Sequence, residues 1–202
     1  YLFKNKYLLI YFVGFFAIEA VNTLQIMATY FCNSNLGDEN MVTIVMGLSV
    51  LPVLLVAPLL PVLIKWLGKK PLNIVSSAIA IALCVIQYFI GYGDFTLFLV
   101  LTALRVVFMQ IPLLIYGMFT TDCIEYGAYV NGERTEGIAF SIQTFVTKLG
   151  GALCSAMCLK LMDSFGYVQQ SKTQTQGALN GIWQIMTLVP SVGYLVMIII
   201  MV

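Results

Sequence analysis

The chain has 202 residues, of which 60% are hydrophobic and only 9% charged, with a net charge of +1 and a mean hydropathy of +0.95. A soluble domain carries about 25% charged residues, so the deficit excludes a soluble fold and points to an integral membrane protein. The near-neutral balance excludes a basic field for nucleic acid. Histidine is absent, which removes the commonest metal ligand and proton relay. No metal site and no resident cofactor is expected.

A spanning helix needs about 20 mostly apolar residues. Six runs qualify, at about 7–32, 41–64, 72–92, 95–119, 138–162 and 179–202. The runs are continuous rather than alternating, so the expected fold is all-α and not a β-barrel. Basic residues mark one side: Lys4 and Lys6 before the first run, Lys65, Lys69 and Lys70 after the second, Arg134 after the fourth. Asp38, Glu39, Asp94 and Asp163 mark the other, with Lys160 and Lys172. The basic side is expected to be cytoplasmic, with both ends of the segment there.

The first run carries Glu19, Asn22 and Thr23 on one helical face, with Gln25 beyond. Glu19 falls near mid-depth, where an ionisable group is a functional candidate by default. The second run holds Pro52, Pro58 and Pro61 and is expected to bend. The basic turn KWLGKKP after it is explained by topology alone. The third run is plain apart from Gln87. The fourth carries Pro112 and, again near mid-depth, Arg105, which cannot readily discard its proton and must find an anion, carbonyls or water.

The segment 120–150, TTDCIEYGAYVNGERTEGIAFSIQTFVTKLG, is the most informative. Asp122, Glu125, Glu133 and Glu136 are four of the nine acidic residues in the chain, and Arg134 and Lys148 lie with them. Ser141, Thr144, Lys148, Gly151 and Ser155 then recur at i+3 and i+4, flanked by Gln143 and Thr147, a face unsuited to lipid. The last run, with Trp183, Gln184 and Pro190, is expected to stay mostly lipid-like, and Gln169–Gln176 forms a polar connection before it. The five cysteines read as small buried hydrophobes.

Glu19, Arg105 and Lys148 come from three helices at similar depth. Two cations against one anion imply a partner outside this chain. An intramembrane enzyme finds little support, since neither G-x-S-x-G nor H-E-x-x-H occurs. A complete six-helix channel or homodimeric carrier for another small solute is the alternative to a transporter half. Tyr1 at one end and an apolar run at the other suggest a longer protein with about six further helices upstream.

The pattern D-x-x-E-Y-G, then G-x-R-x-E-G, then F-S-x-Q-T-F-x-x-K-L-G resembles the melibiose-permease-like glycoside–pentoside–hexuronide:cation symporters of the major facilitator superfamily. It is similar to the end of their helix X, the loop after it and helix XI. The resemblance covers the C-terminal half of such a transporter. It implies six transmembrane helices forming one half of a major facilitator fold, as two inverted repeats at 1–92 and 93–202. It implies symport of a sugar or glycoside with Na+ or H+ across the plasma (inner) membrane, the cation being held mainly by the N-terminal six-helix half. By resemblance, Lys148 takes part in coupling, and Gln143, Thr144 and Thr147 line the sugar cavity. Asp122, Glu125 and Arg134 match charged positions that help close the cytoplasmic side. A tryptophan near the sugar on helix X is replaced here by Leu113.

Overall fold

The computed structural model describes residues 6–132, 136–169, 171 and 173–202. Among the described residues, six helical spans are long and apolar enough to cross a membrane: Lys6–Leu36, Met41–Leu67, Lys69–Ile90, Phe95–Val130, Glu136–Ser164 and Gln176–Met201. No strand occurs among the described residues. The protein is an all-α, multi-pass integral membrane protein.

Two spans are broken. The first consists of α1 (Lys6–Glu19) and α2 (Leu24–Phe31), the latter running into a π-helical turn at Cys32–Leu36. Residues between Glu19 and Leu24 leave the helical ladder, with Thr23 N–H donating to the Val21 carbonyl. The last consists of α7 (Gln176–Thr187) and α8 (Val189–Met201), separated at Leu188. Pro190 explains that break, because it has no N–H for the carbonyl four residues back, at Met186. Between them lie α3 (Met41–Leu67), α4 (Lys69–Ile90), α5 (Phe95–Asn131) and α6 (Glu136–Ser164). Helix α3 stays one helix through Pro52, Pro58 and Pro61.

Two connections differ from the sequence expectation. The basic turn shrinks to Gly68, whose φ of 83° lets α3 end and α4 begin at once. The fourth run, expected to end near residue 119, continues as helix to Asn131, where Gly132 in the left-handed conformation stops it. At 37 residues, α5 is about 55 Å long, against about 30 Å of hydrocarbon, so its last turns stand clear of the bilayer. Asp94 caps its start, accepting from the amides of Thr96 and Leu97.

The core has two ends. Toward the basic side, Leu8, Tyr11, Phe12, Phe15 and Ile18 of α1 pack with Met109 and Tyr116 of α5 and Tyr194 and Met197 of α8. Toward the other side, Phe31, Phe98 and Trp183 form an aromatic knot with Tyr92. This overturns the lipid-like reading for α7, while Val192, Leu195 and Ile199 of α8 are exposed. Ile182, Trp183, Ile185 and Met186 are all buried, because α7 packs against α2 and the Trp183 indole N–H donates to the Tyr88 carbonyl. Gln87 Nε2 donates to Thr102 Oγ1 over 2.7 Å, a buried tie between α4 and α5.

Candidate functional site

The two breaks meet inside the bundle. Thr23 Oγ1, in the first break, donates to the Ile185 carbonyl over 2.9 Å. Arg105 Nη1 on α5 donates to the neighbouring Met186 carbonyl over 3.2 Å. These are carbonyls of the last turn of α7, which the break leaves without helical donors. Glycines bring the helices this close. A Cβ at Gly193 of α8 would strike the Ala17 carbonyl of α1, and one at Gly150 of α6 would lie 2.6 Å from Glu19 Cβ.

That last contact sets Glu19 at the wall between α1 and α6. Beside it a cavity of about 380 Å3 is lined by Glu19, Asn22, Gln25 and Ile26 from the first span. Thr147, Lys148, Gly151, Cys154 and Ser155 of α6 line the opposite wall. Every lining residue belongs to the first span or α6, so the cavity opens away from the rest of this chain. Glu19 and Asn22 are half-buried, while Gln25 and Lys148 are exposed on it. No ion pair joins Glu19 and Lys148 among the described residues. One carboxylate and one ammonium, with amide groups between them, make a polar patch at mid-span that can hydrogen-bond hydroxyls and hold a charge.

The other expected site residues fall elsewhere. Thr144 is exposed, and its hydroxyl donates back to the Phe140 carbonyl. Gln143 lies one turn from Thr147, half-buried, with Oε1 inside the protein and without a hydrogen bond among the described residues. Arg105 is not on the cavity. It is fully buried behind it, next to Cys84 and bonded to Met186. The structure therefore brings Glu19, Asn22, Thr147 and Lys148 together and sets Arg105 apart, as part of the scaffold.

At the basic end, Asp122 pairs with Lys69, its two oxygens 2.6 and 2.7 Å from Nζ. Glu125 is exposed one turn further along α5, and Arg134 lies outside the described residues. The sequence reading had assigned the basic turn only a topological role and so missed Lys69. Gln25 was legible as polar, but nothing in its spacing from Glu19 revealed that the break would turn it onto the cavity.

The whole chain, residues 1–202, matches the family model described as MFS/sugar transport protein. The chain belongs to that family. This sugar-transport-family chain is 30% identical over 182 residues to an uncharacterized symporter, YjmB, of Bacillus subtilis strain 168, covering 88% of the chain and 38% of the relative. It is 31% identical over 196 residues to another from that organism, YnaJ, covering 92% and 40%. It is also similar to the isoprimeverose transporter of Lactiplantibacillus pentosus, at 24% identity, covering 93% and 39%. The chain thus spans about 40% of the length of these relatives. No solved structure matches it. The family is one of transporters, not enzymes, and it agrees with the resemblance to the glycoside–pentoside–hexuronide symporters.

Proposed function

We propose that this chain is the C-terminal six-helix half of a secondary active transporter that carries a sugar or glycoside together with a cation, Na+ or H+, by alternating access. The observation that carries the reading is the cavity between the first span and α6. It sets Glu19, Asn22, Gln25, Thr147 and Lys148 at mid-span, on a face that no other helix of this chain covers. Secondary transporters place their sites at the midplane, between repeats, where helices are interrupted. The break after Glu19 fits that pattern. Sugar hydroxyls suit the amides and the carboxylate. In this reading the N-terminal half covers the open face and supplies most of the cation site. The six helices form two inverted repeats, 1–92 and 93–202. The basic ends lie in the cytoplasm of a cell whose plasma (inner) membrane holds the protein. Asp122, Glu125 and Arg134, with Lys69, form an ionic gate on that side. The names of the relatives, symporters and an isoprimeverose transporter, support the class of cargo.

The test is uptake by the full-length protein reconstituted in proteoliposomes. Radiolabelled glycosides should accumulate when an inward Na+ or H+ gradient is imposed, and the accumulation should collapse with the gradient. Equilibration without any ion dependence would overturn symport in favour of a channel or uniporter.

A further inference from the structure

A second cavity follows the mid-span one along the same two helices. On the first span the lining passes from Glu19, Asn22 and Ile26 to Tyr30, steps of three and four residues. On α6 it passes from Lys148, Gly151 and Ser155 to Leu159, Met162 and Asp163, on the same helical face. The two cavities are therefore successive stations in one groove. Along α6 the two linings are centred about ten residues apart, about 15 Å, so a single sugar ring centred in one is not centred in the other.

The outer cavity, about 340 Å3, is built rather than incidental. Gly166, at φ 77°, ends α6 and turns Tyr167 back, with the Tyr167 amide on the Met162 carbonyl at 3.0 Å. Gln174 then clamps Val168 from both sides, accepting from its amide at 3.1 Å and donating to its carbonyl at 2.7 Å. Phe165 packs against Gly181, tying the turn to α7. Thus Gly166, Tyr167 and Val168, held by Met162 and Gln174, have a defined fold beside the cavity. Tyr30 and Tyr167 meet edge to face, 5.7 Å apart. Neither the Asp163 carboxylate nor the Gln169 side chain has a hydrogen bond or ion pair among the described residues, and both are exposed on the rim.

We propose that this outer cavity is a second binding station, for a neutral sugar or glycoside, which holds the cargo before it descends to the mid-span site. The inference rests on the transport reading above. Aromatic walls with one carboxylate and one amide suit the apolar C–H faces and hydroxyl rim of a sugar. Asp163 repels an anionic sugar, so a uronate is disfavoured here.

The experiment uses the full-length transporter carrying Val168→Cys, at a cavity position 58% exposed, together with Asn22→Ala and Gln25→Ala to remove the amides of the mid-span site. Labelling by a membrane-impermeant maleimide, above the background of the protein without Val168→Cys, reports the outer cavity. The p-nitrophenyl β-xyloside, β-galactoside and β-glucoside are the neutral probes, and p-nitrophenyl β-glucuronide the anionic one. At least one neutral probe should slow labelling about three- to tenfold, the effect of one ring or hydrogen-bond contact, and the glucuronide should not. Adding Tyr167→Ala, or separately Asp163→Asn, should remove the protection. No protection by any neutral probe, or equal protection by the glucuronide, overturns the station. Protection that survives both substitutions overturns it as well. Uptake of the neutral probes by the protein with Asn22 and Gln25 intact tests the transport reading separately. Uptake without protection sinks the station alone, and protection without uptake sinks the transport reading alone.

Discussion

Arg105 donates to the one carbonyl that Pro190 leaves without its helical donor, that of Met186, with Nη1 and the carbonyl oxygen 3.2 Å apart. The arginine is fully buried. A guanidinium in hydrocarbon is costly unless it meets anions, carbonyls or water. Here the break in the last span supplies the acceptor and the arginine supplies the missing donor. One donor and one acceptor are matched this way, while Arg105 Nε and Nη2 have no hydrogen bond among the described residues.

That relationship predicts a rescue. Arg105→Met should lower the thermal midpoint of the purified full-length protein, because a buried carbonyl left unbonded costs about 1–3 kcal/mol. Pro190→Ala restores an N–H at the position that bonds Met186. The double variant Arg105→Met with Pro190→Ala should therefore regain much of the lost stability. A double variant no more stable than Arg105→Met alone would show that the arginine acts elsewhere.

The six spans were legible because apolar length is a property of composition, and the spans in the structure differ from the expected ones mainly at their ends. The breaks were not legible. Nothing in A-V-N-T lowers hydropathy enough to register, and the break at Leu188 needed Pro190 to be read as a local event inside a span. The site was half legible. Glu19, Asn22, Thr147 and Lys148 stood out as polar residues in apolar runs, and they do share a cavity. Arg105 stood out for the same reason but turned inward, because sequence depth cannot tell which face of α5 meets α7. Thr144 was placed by helical spacing on the stripe of Lys148. The structure shows the cavity meeting that stripe at Lys148, Gly151 and Ser155, with the flanking Thr147, while Thr144 lies outside the lining.

A second prediction separates two adjacent glycines. A Cβ at Gly150 would lie 2.6 Å from Glu19 Cβ and 3.3 Å from the Ala20 backbone nitrogen, whereas one at Gly151 meets no atom within 4 Å. Gly150→Val should force α6 off the first break. The expected destabilisation is about 1–3 kcal/mol, as overpacking a tight contact usually brings. Gly151→Ala should leave the thermal midpoint within error. Equal tolerance at both positions would mean that the close approach of α6 to Glu19 does not hold in solution.

The Lys69–Asp122 pair makes a third case. Its side chains are 28% and 47% exposed, so its contribution to stability should be only about 0–1 kcal/mol and should shrink with added salt. A gating role would appear in function instead. Asp122→Asn and Lys69→Gln should each alter the transport rate of the full-length protein while leaving the melting curve almost unchanged. The charge exchange Lys69→Asp with Asp122→Lys should recover part of the rate. Recovery is the deciding measurement, since a merely solvated pair gives single variants that behave like the parent.

Lys148 carries the sharpest prediction. It lies on the cavity wall opposite Glu19, exposed within this chain and without an ion pair among the described residues. Its side chain therefore supports no packing here whose loss would unfold the half. In the proposed symporter, an ammonium facing carboxylates of the other half would compete with a coupling cation for them, and its displacement would rearrange the polar wall of the cavity. Lys148→Met should accordingly leave the thermal midpoint of the full-length protein unchanged while abolishing ion-driven accumulation of sugar. Exchange of sugar down its own gradient should persist, because the cavity and its amides remain. Lys148→Arg should restore little, since the guanidinium is wider, always charged and binds carboxylates as a fork. A structural ion pair with the other half of the transporter would give the opposite pattern, a fall in stability with coupling intact in whatever protein survives. The two quantities to compare are the melting midpoint and the steady-state ratio of internal to external sugar under an imposed cation gradient. A stable Lys148→Met protein that still concentrates sugar would end the coupling role.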